Sequence, residues 1–73
     1  LLSVSLPAAA GCLGQRLDAL ALHAVGVQVV SVRRSGGAVV PPHGDIVLGA
    51  GDTLVLSGLP EPLALAEARL LNG

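Results

Sequence analysis

Apolar residues recur at every second position in two places along this chain. The first is Leu2-Ser3-Val4-Ser5-Leu6, the spacing of a strand with one wet face, and Pro7 closes it. The second is Thr53-Leu54-Val55-Leu56-Ser57, which sets Leu54 and Leu56 on one face and Thr53, Val55 and Ser57 on the other. Just before it, residues 46–48 form another apolar run, separated from the second strand by Gly49-Ala50-Gly51-Asp52. Glycine tolerates backbone angles that other residues resist, and aspartate bonds nearby amides, so this segment predicts a tight reversal. The expected product is an antiparallel hairpin of 46–48 with 53–56. Gly51, Asp52 and Gly58 are then structural turn residues, with Asp52 capping its own turn and Gly58 releasing the strand.

The remaining pattern predicts two helices and two more strands. Leu13, Leu17, Leu20 and Ala24 fall on one helical stripe with Gln15, Arg16 and Asp18 outside it, and Gly26 breaks the pattern. Residues 27–34 are apolar on both sides, with Val27 and Val29 on one face and Val30 and Val32 on the other. Such a strand is either central between two layers or set at a protein contact, and the short chain favours the contact. Ser35-Gly36-Gly37 is a hairpin turn signal that returns 38–40 beside 30–32. Pro41-Pro42 then enforces extended backbone. The last helix is expected over 61–71, with Leu63, Ala66 and Leu70 as its buried stripe, proline in its first turn and Asn72-Gly73 as its stop. Glu61 near its start and Arg69 near its end suit the helix dipole. The order strand–helix–four strands–helix predicts an α+β fold: a small, mostly antiparallel sheet with two helices packed on one face.

Composition adds a reason to expect partners. The 73 residues make one domain, residues 1–73, with 52% hydrophobic but only 12% charged residues. Soluble domains usually carry about 25% charged residues, so part of the apolar excess is expected to be surface covered by a second copy or a neighbouring domain. The domain is therefore expected to form a homodimer. The absence of methionine at its start suggests a domain cut from a longer protein. Net charge is −1, with four arginines, no lysine and no aromatic ring, which argues against nucleic acid. Every apolar stretch is interrupted well short of the ~20 residues of a spanning helix, so no direct membrane insertion is expected. Ala9-Ala10-Gly11-Cys12 imitates a lipoprotein signal, but Pro7 interrupts the apolar run and no basic segment leads it. Cys12 has no second cysteine to pair with and reads as a buried or partly exposed thiol.

Catalytic constellations are missing, so an enzyme is not expected. Cys12, His23 and His43 lie on separate elements without ligand spacing, which argues against a metal site. Gly49-Ala50-Gly51 opens a strand rather than a helix, so it lacks the helix N-terminus of a nucleotide loop. One set stands out. Arg33 and Arg34 end a strand, and His43 follows the proline pair on the returning segment. The hairpin is expected to gather them above an apolar floor of Val30, Val32, Val40 and Pro42, where arginine's fork suits a phosphate or carboxylate. The bland alternative is a solvated strand end with Arg33 paired to Asp45.

The order of these elements resembles the TrkA-C domain, also called the RCK C-terminal domain. The resemblance rests on Val29-Val30-Ser31-Val32-Arg33-Arg34, Gly36-Gly37, Val39-Val40-Pro41, Leu48, Gly51-Asp52, Leu54-Val55-Leu56 and Gly58, with Gly14-Gln15-Arg16-Leu17 and Leu20 upstream. It implies a cytoplasmic regulatory module at the inner face of the cell membrane, part of a potassium or other cation transporter. The ending LVLSGLPEPLALAEARLL looks most like the tails of Kef-type monovalent cation:proton antiporters; a Trk/Ktr-like system is also compatible. The resemblance further implies dimerisation, contact with the membrane-transport part of the parent protein and, in some relatives, a regulatory ligand such as cyclic di-AMP. A nucleotide-binding domain often precedes such a module. Its fingerprint is missing here, so no cofactor is expected in this domain. The competing expectation is a purely structural dimerisation module without a small-molecule ligand.

Overall fold

The computed structural model describes residues 1–72. Strand β1 (Leu2–Ser5) is followed by two consecutive 3-10 turns, Leu17–Leu20 and Leu22–Val25, then by strands β2 (Gln28–Arg33), β3 (Val39–Val40) and β4 (Thr53–Ser57) and helix α1 (Pro60–Asn72). The expected stop at Asn72-Gly73 falls partly outside the described residues. The strands form one antiparallel sheet in the order β1-β4-β2-β3. This is the α+β architecture that the patterning predicts, with one strand fewer.

The alternation in β1 and β4 sets the core. Val4 lies opposite Leu54 and Leu2 opposite Leu56 on one side of β4, and Val32 and Val29 lie opposite the same leucines on the other. This leucine and valine face is covered by Leu17, Leu20 and Leu22 of the 3-10 turns and by Ala66 and Leu70 of α1, all buried in one cluster. Leu63 packs against that cluster, so the predicted stripe of α1 holds. Arg69 does more than face the helix end: it donates a hydrogen bond to the Leu20 carbonyl at 2.9 Å, pinning α1 to the first turn.

Three expectations need correction. The first concerns 46–48, which do not form a hairpin with β4. Both edges of β4 are taken, by β1 and β2. Residues 44–48 pair instead with 14–18: the amides of Gly14, Leu17 and Asp18 donate to the carbonyls of Leu48, Ile46 and Gly44, and the Leu48 amide donates to Gln15. The reversal at 49–52 is nonetheless present, with the Asp52 amide bonded to the Gly49 carbonyl at 3.2 Å. Gly51 sits there at φ +88°, and a Cβ on it would meet the Ser35 Cβ at 2.9 Å. Gly58 is needed for close approach, since a Cβ there would lie 3.1 Å from a Val27 methyl.

The second correction concerns the two-sided strand. The pairing of β2 with β4 shifts register between Val29 and Ser31, the mark of a bulge. Before and after the bulge, Val29 and Val32 both face the core, and Val30 is left on the outer side at 48% exposed. A strict period of two splits these valines evenly; the extra residue does not.

The third concerns the first helix. The stripe is interrupted by Ala21, which adopts left-handed angles (φ 49°, ψ 44°) between the two 3-10 turns. Leu17 and Leu20 stay buried as expected, but the break turns Leu22 inward and leaves Ala24 exposed. Gly26 ends the segment at φ +97°, as its position predicts. The hairpin at 35–37 also follows its signal. Arg34 and Ala38 close it with a 2.7 Å bond, and Gly37 takes the left-handed position at φ +97°.

Candidate functional site

An open groove of about 480 Å³ runs between the 3-10 turns, the start of β2 and the segment after the proline pair. Leu17, Leu22, Val27, Val29 and Pro42 make its apolar lining, while Asp18, His23 and Gln28 bring polar groups to it. The fold creates this groove in two steps. The left-handed Ala21, itself part of the lining, turns the second 3-10 segment away from the first. The backbone ladder between 14–18 and 44–48 then brings Gly44 and Pro42 up as a facing wall. Gly44 fits there because it has no side chain; a Cβ would lie 2.9 Å from the Asp18 Cβ. Asp18 is bonded by Arg16 through Nε at 3.2 Å and Nη2 at 2.8 Å, so its charge is matched within the chain. His23 carries the other titratable side chain of the lining.

The residues expected to form an anion site do not converge. Val32 and Val40 lie on the core side of the sheet, with Val32 fully buried, whereas Val30 lies on the outer side. Pro42 alone of the set lines the groove. Arg33 and His43 are exposed and make no ion pair among the described residues. The expected alternative pairing of Arg33 with Asp45 is likewise not formed among them. Leu17, Leu22 and Gln28 were not singled out as site residues by the sequence. His23 was weighed as a metal ligand and set aside.

Arg34 has a different employment. Its Nη2 donates to the Val47 carbonyl at 2.9 Å and stands 3.3 Å from Asp52 Oδ2. Asp52 is 2% exposed. It accepts from the Gly49 amide at 2.9 Å, the turn capping that the sequence predicts, and also from the Ser35 amide at 3.1 Å across the fold. No buried side-chain polar atom is left without a partner among the described residues. Cys12 is fully buried, and burial pushes its thiol pKa up, so the neutral, unreactive form is favoured. Among the described residues no three His, Cys, Asp or Glu side chains stand together as a metal site, and no helix is long and apolar enough to cross a membrane.

Comparison with known proteins agrees with this architecture. The solved structure described as "Structure of RCK domain with cda" superposes with a TM-score of 0.70 over 94% of each chain, at 21% sequence identity. No curated protein matches the chain. The TrkA-C domain pattern matches residues 1–71, nearly the full length. Sequence pattern, sheet order and superposition lead to one assignment: this chain belongs to the TrkA-C domain family, whose members are generally regulatory domains of potassium transport systems.

Proposed function

We propose that this chain is a ligand-sensing and dimerisation module that regulates a potassium or other cation transporter, of the Kef antiporter type or a Trk/Ktr-like system. It works in the cytoplasm, attached to the membrane-transport part of its parent protein, and has no catalytic role. The observation that carries this reading is the groove between the 3-10 turns and β2. Its volume of about 480 Å³ lies within the range of roughly 300–1,000 Å³ typical of small-molecule sites, and its lining is apolar with a few polar groups. The ligand class is a small anion with a flat apolar part, such as a cyclic dinucleotide. The cda of the similar solved structure, which we take to be cyclic di-AMP, is the first candidate. A base would rest on Leu17, Leu22 and Val29, with Gln28 and His23 at its polar edge. The phosphates would meet the exposed Arg33 and His43 of a second copy.

Regulation follows from differential binding. A ligand that prefers one arrangement of two copies shifts the transporter only as far as that preference allows. The exposed Val30, Val39, Val47, Leu59 and Leu65 supply apolar surface for a second copy. They also support the second reading, a structural dimerisation module without a ligand. Titration calorimetry with cyclic di-AMP, run beside light scattering, separates the two. The expected result is saturable heat that depends on dimer concentration and falls in His23→Ala and Gln28→Ala. A decrease in Arg33→Ala or His43→Ala as well would assign the phosphate contacts. A folded dimer that gives no heat would leave the structural module as the function.

A further inference from the structure

The geometry points to Arg34 and Asp52 as a latch that fixes the width of the groove, with Arg34 acting as a positioning residue rather than as a ligand contact. The inference deepens the ligand-sensing reading and rests on it only for its binding arm. The groove has two sides held by different parts of the chain. Its floor includes Val27, Gln28 and Val29 at the start of β2, whereas its facing wall includes Pro42 and Gly44. That wall is continuous with 44–48, whose backbone ladder binds it to 14–18 rather than to the sheet. The ladder joins wall to 3-10 turn; β3 ties the chain to β2 at Val40, two residues before the wall, and the Val27 amide ties the second turn to the start of β2. Neither holds the far end of the wall, at 45–48, to the sheet.

Arg34 supplies a second tie, at that far end. It follows the last residue of β2, and its Nη2 holds the Val47 carbonyl at 2.9 Å, within the same 44–48 segment. Asp52 holds the guanidinium in place from the buried side, with Oδ2 3.3 Å away. Asp52 is itself immobilised by the amides of Ser35 and Gly49, one on each of two turns. A buried carboxylate with two amide donors and one cation on it keeps a single geometry, because any departure strands a buried charge. Two turns and the 44–48 arm thus meet on one carboxylate–guanidinium pair. Both contacts come from the one Nη2, so lysine is expected to keep part of the latch; its ammonium is more strongly hydrated and lacks the rigid planar group that positions that nitrogen.

Methyl relaxation dispersion on the full chain tests the latch directly, since it reports microsecond-to-millisecond opening. In Arg34→Met, the methyls of Leu17, Leu22, Val27 and Val29 are expected to gain exchange broadening that is absent from the parent chain. Those of Leu54 and Leu56 are expected to stay quiet, and Glu61→Gln, an exposed control outside the groove, to match the parent. Arg34→Lys, which keeps charge and one donor, is expected to show a smaller gain; it also serves should Arg34→Met fail to fold. The binding arm uses cyclic di-AMP as probe, with an expected loss of about tenfold in affinity for Arg34→Met and a smaller loss for Arg34→Lys. Weakened binding with quiet groove methyls would make Arg34 a ligand contact and overturn the latch. Quiet methyls in both folded Arg34 variants with unchanged binding would overturn it too. Should cyclic di-AMP fail to bind even the parent chain, the ligand-sensing reading falls, while the dispersion result still decides the latch.

Discussion

Residues 7–26 and residues 53–72 are both rich in small and branched apolar side chains, yet they fold by different rules. The later region is β4 and α1, one regular strand and one regular helix. Their backbone groups are satisfied by neighbours at fixed spacing, so side chains of period two and 3.6 share a face automatically. The earlier region consists of turns, with a left-handed alanine between two 3-10 segments. Its amides at Gly14, Leu17 and Asp18 find their acceptors at 44–48, about thirty residues away in sequence. Both regions feed the one core, Leu54, Leu56, Ala66 and Leu70 from the regular side and Ala10, Cys12, Leu17, Leu20 and Leu22 from the irregular side; the irregular region, propped by a distant segment, also leaves the groove. In regular elements the period alone decides which residues enter the core, whereas imported backbone partners leave room between layers.

The largest expected effect tests whether this difference is energetic as well as geometric. Leu54→Ala removes a fully buried side chain flanked by paired strands on both sides, and should cost about 4 kcal/mol. Leu20→Ala, equally buried by class but in a 3-10 turn that relaxes more easily, should cost about 2 kcal/mol. Denaturant melts of both variants settle the matter. Equal losses would mean that the irregular half is packed as rigidly as the sheet.

Asp52 immediately precedes the regular region and ties together the turns at Ser35 and Gly49, and Asp52→Ala is expected to cost about 2–3 kcal/mol. The substitution leaves the Ser35 and Gly49 amides without their acceptor and Arg34 without its counter-charge. A loss below about 1 kcal/mol, the cost of a single local cap, would show that only the bond to Gly49 matters. The smallest effect belongs to Ala21. Its left-handed angles are strained for any residue with a Cβ, so Ala21→Gly should be neutral or stabilise by up to about 1 kcal/mol. A clear destabilisation in thermal melts would mean that the Ala21 methyl is needed for packing.

Much of the fold was legible because its strongest signals are local. The alternation in 2–6 and 53–57, the Ser35-Gly36-Gly37 turn and the stripe Leu63, Ala66, Leu70 each depend on residues close in sequence, and each is found as expected. Asp52 was legible only in part: its bond to Gly49 is local, but those to Ser35 and Arg34 are not. The site was the least legible. One extra residue at Val30 moves Val32 and Val30 to opposite sides of the sheet and dissolves the expected floor. The strand-like run at 46–48 pairs as strands do, but with a partner whose own sequence promised a helix. Spacing reports which residues share a face; it does not report which distant backbone will come to meet them.

The position of β1 has a consequence for how this domain comes into being. Among the described residues its one strand partner is β4, which pairs Leu2 with Leu56 and Val4 with Leu54. During synthesis β1 is made about fifty residues before its partner, so its alternating apolar face must wait unpaired while the residues between them emerge. Contacts between residues so far apart in sequence slow folding, because loop-closure entropy is lost before they form. The 2–6 segment is therefore exposed to off-pathway pairing for as long as β4 is missing. Ser3 and Ser5 break its apolar run into alternate positions, which limits how well two waiting copies could zip together face to face.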